Sequence, residues 1–122
     1  MEELKGRYNW VFCDGDLPPA GSKEPFGHEA LMITNLYEQD AHLDFEILFE
    51  DRDPDSNITL TLKAKRTICI RLDKPFGDQQ YKLPFGQYAL HLHSDVPVAA
   101  CFGRLDVRQS NMAYYTVPGF SF

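Results

Sequence analysis

Two histidines one residue apart, His91 and His93 in GQYALHLHS, have a spacing that puts both imidazoles on one face of a strand, where such a pair can chelate a metal. A third ligand is not read, because Pro97 and Val98 occupy the downstream places where a glutamate would complete the set. An exposed polar strand face is therefore expected, and no metal ligand is assigned. In GHEALMITN, His28 and Glu29 run into an apolar stretch like the first half of a zinc-protease signature, but Met32 stands four residues past His28, where the second histidine belongs. DRDPDSN sets Asp51, Asp53 and Asp55 at alternate positions like the front of a calcium loop. Ser56 replaces the loop's glycine and Leu62 its twelfth-position glutamate, so an acidic hairpin turn set by Pro54 is expected instead. Cys13, Cys69 and Cys101 form no CxxC pair. Each falls in or beside a predicted strand, where buried, inert thiols are expected. No Ser-His-Asp or Cys-His arrangement is legible, and no catalytic residue is assigned.

The arginines carry more. Arg66 shares strand parity with Ile68, Ile70 and Leu72, which predicts an inward guanidinium that must be paired or reach a ligand. Arg104, Asp106 and Arg108 in GRLDVR are expected at a strand end, where an ionic network can form. Such forks either fix loops or bind anionic or polyhydroxylated ligands.

The elements that must hold these groups have period two. AHLDFEILFED aligns Ala41, Leu43, Phe45, Ile47 and Phe49; NITLTLKA aligns Ile58, Leu60, Leu62 and Ala64; RTICIRL aligns Ile68, Ile70 and Leu72; GQYALHLHS aligns Tyr88, Leu90 and Leu92. These are predicted half-buried antiparallel strands. EALMI and VPVAACF are apolar on both faces and are expected as central strands, covered on both sides or by a neighbouring subunit. RYNWVFC and NMAYYTV complete about eight strands, with DGDLPPAGSKEPFG, EQD, DRDPDSN, KAK and DKPFGDQQ as turns. No window reads as an amphipathic helix. The predicted fold is all-β: one domain over residues 1–122, an antiparallel, jelly-roll-like β-sandwich. On a strand from 28 to 35, His28 and Glu29 point to opposite faces, so they cannot share one metal.

The bulk numbers agree. The chain has 122 residues, 43% hydrophobic and 25% charged, enough for one core. Its formal net charge of −6 disfavours nucleic acid as a partner. The start, MEELKGRYNW, lacks a basic region followed by an apolar one, so no secretory signal is expected. Widely spaced cysteines in odd number suit reduced thiols and a cytoplasmic setting.

The ordered set of the Trp10 strand followed by DGDLPP, then GHEALMITN, DAHLDFEILFEDRDP, KRTICIRL and SDVPVAACFGRLDVRQ resembles the sensory rhodopsin transducer family from about Gly6 to about Gln109. The resemblance implies a single-domain sandwich that assembles as a cytoplasmic homotetramer, serves a membrane photoreceptor or another receptor, and binds a small polar ligand such as a sugar. It carries over a polar, ligand-binding set: Trp10, His28, Glu29, Asn35, Arg52, Arg66, Arg71, Arg104 and Asp106. The chain departs from the family pattern at Cys101, Phe102 and Gly103, where a more polar set is expected, and in its apolar end YYTVPGFSF. The resulting expectation is a non-enzymatic binding or signalling module without cofactor. The alternative is a metal-dependent enzyme using His91 and His93, since GQYALHLHS with Gly86 ahead resembles the first cupin motif.

Overall fold

The computed structural model describes residues 3–22, 24, 26–108 and 113–122, without the side chains of residues 113, 115 and 117. Lys23 and Pro25 of the expected first turn, Gln109, and Asn111 and Met112 of the expected last strand lie outside that range. Eight strands and no helix are seen among the described residues: β1 (Arg7–Leu17), β2 (His28–Thr34), β3 (Ala41–Leu48), β4 (Asp55–Leu62), β5 (Thr67–Arg71), β6 (Gly86–Asp106), β7 (Ala113–Val117) and β8 (Phe120–Ser121).

They form two antiparallel layers. One runs β4-β3-β6-β1-β8, the other β5-β2-β6-β7. Strand β6 belongs to both: residues 86–98 pair with β1 and residues 99–106 with β2 and β7. GQYALHLHS and VPVAACF, expected as two strands, are thus one. The break expected between Ser94 and Val96 is a bulge. Arg7 pairs with Val98 but Asn9 pairs with His93, so β6 gains three residues against β1 and bends from one layer to the other. Proline is tolerated in a strand at such a place. The ladder groups freed there are satisfied by side chains: the Trp10 indole donates to the Val98 carbonyl at 2.9 Å, and Ser94 Oγ donates to the Val96 carbonyl and accepts from its N–H. Gly6, at φ +120, lies against the Val98 backbone with no room for a Cβ.

A second bulge lies in β1 between Phe12 and Gly15. It switches the inward parity from Phe12 to Gly15 and Leu17. Strand β1 therefore runs on through Asp14–Leu17, which the sequence reading placed in a turn.

The core lies between the layers. Phe12, Leu43, Phe45, Ile47, Leu90 and Leu92 from one meet Leu31, Ile33, Ile70 and Phe102 from the other, and the rings of Phe12 and Phe102 stack at 5.5 Å. The period-two strands face inward as expected. Phe76 and Leu83, from the long β5–β6 connection, are buried as well. The middle of the second layer's outer face is small and apolar: Met32 is half-buried, and Cys69, Ala99 and Cys101 are exposed near it, with Thr34 and Thr67 on one side and His28 and Arg71 on the other.

Candidate functional site

Glu29 and Arg104 are direct partners across β2 and β6, and both point inward because their parities are those of Leu31 and Phe102. Glu29 is fully buried and Arg104 is 7% exposed. Arg104 Nε donates to Glu29 Oε2 at 2.8 Å. The Tyr88 hydroxyl donates to Oε1 at 2.6 Å and the Asp16 N–H donates to Oε2 at 3.1 Å. The guanidinium also donates to the Asp14 carbonyl. A buried charge pair with its remaining lone pairs satisfied is what its desolvation demands. Burial, reinforced by the Glu29 charge, pushes the Tyr88 phenol far above its ordinary value, so Tyr88 stays neutral and donating. This cluster ties the two layers together where β1 bulges.

His28 faces the other way, as strand parity predicts. Its Nδ1–H donates to the Phe26 carbonyl at 2.8 Å. With Arg71, Glu24 and Phe26 it lines an open groove of about 490 Å³. Arg71 grips Asp73 by a two-point fork, both bonds 2.8 Å. Asp106 takes the Arg108 fork and the Arg108 N–H. Those bonds, and more weakly the charge of Arg104, hold its carboxyl below the usual range.

The other predicted site residues stand apart. Trp10 is half-buried against the core and stacks on Phe12. Asn35 is buried and ties loops, donating to the Gln39 carbonyl at 2.7 Å and accepting from the Tyr37 N–H at 3.0 Å. Arg52 lies over the Phe49 ring, Cζ 3.7 Å from its centroid. Arg66 corrects the sequence reading: it is exposed, and among the described residues its guanidinium reaches only the carbonyl of its neighbour Lys65. Its parity was right but β5 begins one residue later, at Thr67, so the alternation does not govern it. The thiols are a second correction, since Cys13, Cys69 and Cys101 are all exposed; each lies on the outward parity of its strand. His91 and His93 both donate to Asn9 Oδ1, at 2.9 and 3.0 Å, and Glu46 is 3.8 Å from His91. No three His, Cys, Asp or Glu side chains converge as a metal set among the described residues.

Sequence reasoning passed over a groove of about 680 Å³ between the β3–β4 turn and the start of β6. Phe49, Glu50, Asp51, Arg52, Phe85 and Gln87 line it over a floor that includes Tyr88. Phe85, in the PFG turn, gave the only available signal: an aromatic in a turn with no strand face to bury it.

No curated protein matches the chain. Among solved structures, the crystal structure of "Thermotoga maritima 1070" matches with a TM-score of 0.83 at 28% identity, covering 98% of this chain and 97% of that one. The Anabaena sensory rhodopsin transducer matches with a TM-score of 0.73 at 31% identity, over 89% and 96% respectively. The family model described as Anabaena sensory rhodopsin transducer matches residues 5–121. Nearly the whole sandwich is thus shared, and the chain belongs to the Anabaena sensory rhodopsin transducer family.

Proposed function

We propose that the chain is a non-enzymatic, cytoplasmic signalling module. It works as a homotetramer, binds a small polar ligand such as a sugar beside His28 and Arg71, and passes that state to or from a receptor. The observation that carries the reading is the placement of His28. It lines the open groove with Arg71, while the next residue, Glu29, holds the buried pair that joins the layers. A ligand that shifts His28 therefore acts on a strand whose inner face cannot adjust without disturbing a buried charge. The Arg71 fork is fixed by Asp73 and keeps further N–H donors for a carboxylate, phosphate or vicinal hydroxyls. The named family member is a transducer of a sensory rhodopsin, which supports a receptor as partner.

Met32, Cys69, Ala99 and Cys101 give the second layer an apolar patch in the middle of its outer face, which suits packing against another copy. A thermal-shift screen of sugars, sugar phosphates and small acids tests the ligand. A hit is expected to raise the melting point of the wild type and not of Arg71→Ala. If no compound does so, or if a hit stabilises both equally, the groove does not bind ligand. Light scattering tests the assembly, and a 14.0 kDa monomer at micromolar concentration would refute it.

The rival reading, a metal-dependent enzyme at His91 and His93, finds both imidazoles already engaged by Asn9. Stoichiometric metal in the purified protein that disappears in the His91→Ala/His93→Ala double variant would restore it.

A further inference from the structure

We infer that the groove between the β3–β4 turn and the start of β6 is a second binding site, for a small organic cation with a planar amidinium or guanidinium group. The protein's own Arg52 shows what this wall accepts, since its guanidinium stacks on Phe49 with Cζ 3.7 Å from the ring centroid. That contact, with the bond from Arg52 to Asp51 at 3.1 Å, satisfies the one cation of the groove and one of its two carboxylates. Two recognition groups are left over. Among the described residues Phe85, 72% exposed, is the most exposed of the large apolar side chains and stacks on no other ring. Glu50 is an exposed carboxylate with no ion pair among the described residues.

An aromatic face and a carboxylate in one groove recognise a flat cation jointly. The ring quadrupole attracts the positive face, and the carboxylate takes paired N–H donors. At about 680 Å³ the groove is of small-molecule size. The groove's charges, Glu50 and Asp51 against Arg52, sum to −1, and the chain carries −6, so the surrounding field also favours a cation. Gln87 adds an amide at the rim. The site shares no lining residue with the His28–Arg71 groove, so the two proposals stand or fall separately.

Titration of the labelled protein with benzamidinium, followed by backbone amide shifts, tests the site, with neutral benzamide as the matched control. Benzamidinium is expected to bind in the millimolar range and to move the amides of residues 49–52 and 85–89. Benzamide is expected to bind several-fold more weakly. Phe85→Ala should lower the benzamidinium affinity by about two- to five-fold, the scale of one exposed cation–π contact, and Glu50→Gln by a similar factor, with added salt weakening the wild type as well. Both side chains are exposed, so the variants should keep the wild-type melting point. The inference is overturned if millimolar benzamidinium moves none of these amides, if benzamide binds equally well, or if neither substitution changes the affinity.

Discussion

Removing the charge of Arg104 should be among the most damaging single changes in the molecule. Arg104→Met keeps most of the side-chain volume but leaves Glu29, fully buried, with only the Tyr88 hydroxyl and the Asp16 N–H. Stranding one member of a buried pair costs about 3–5 kcal/mol. For a domain of 122 residues that is a fall in melting point of roughly 10–20 °C. Glu29→Leu removes the carboxylate that Arg104 Nε meets but leaves the guanidinium its bond to the Asp14 carbonyl, so independent effects would sum to at most about 6–10 kcal/mol. In the double variant no buried charge is stranded. The main remaining costs are the partners lost by the Tyr88 hydroxyl and the Asp16 amide, about 1–3 kcal/mol each. At mid-range the double should therefore cost about 4 kcal/mol against a sum of up to about 8 kcal/mol, a coupling of up to about 4 kcal/mol. Denaturant unfolding of the four proteins at one fixed concentration measures this, with Arg66→Ala as the exposed control, expected within about 0.5 kcal/mol of wild type. An Arg104→Met cost below about 1 kcal/mol, or strict additivity, would refute the reasoning.

Alkaline pH should expose Tyr88. Its folded pKa is raised above the ordinary 10.0, so the stability it contributes is complete below about pH 10 and is lost as the pH rises further; the melting point of Tyr88→Phe should decline less between about pH 9 and about pH 11, and parallel curves would contradict this. Gly6→Ala should cost about 1–3 kcal/mol and more than Gly86→Ala, because both have positive φ but only Gly6 would drive a Cβ into backbone, 2.5 Å from the Val98 carbonyl; chemical denaturation ranks the two. If the outer face of the second layer packs against another copy, a thiol reagent should label Cys13 quickly in the native protein and Cys69 and Cys101 slowly, whereas equal rates at all three would place the interface elsewhere.

The facing of the period-two strands was legible because one buried side imposes alternation: Leu43, Phe45 and Ile47 in β3 could be read with no other information. The continuity of β6 was not. GQYALHLHS and VPVAACF read as separate strands, and only the pairing of Arg7 with Val98 beside Asn9 with His93 shows a bulge instead. Arg66 failed for a related reason: parity says nothing about where a strand starts. Glu29 and Arg104 could be named as polar residues among apolar ones, but their partnership depends on the register of β2 against β6, which no local pattern encodes. The thiols depart from expectation because a small, apolar residue type usually goes inward, whereas here strand parity turns all three outward.

The sharing of β6 between both layers fixes an order of events during synthesis. Among the described residues, strand β1 pairs with β6 and β8 alone and β2 with β5 and β6 alone, while β3 has β4 as its sole partner before β6 is made. A nascent chain that has reached residue 85 can close the β3–β4 hairpin and the β2–β5 pair, but it has nothing to lay β1 against. Contacts that link residue 7 to residue 98 and residue 28 to residue 105 lead to slow, late assembly. Until about residue 106 has emerged, Phe12, Leu31 and Phe45 lack the strand that covers them, and that interval is when the chain is most exposed to misassociation.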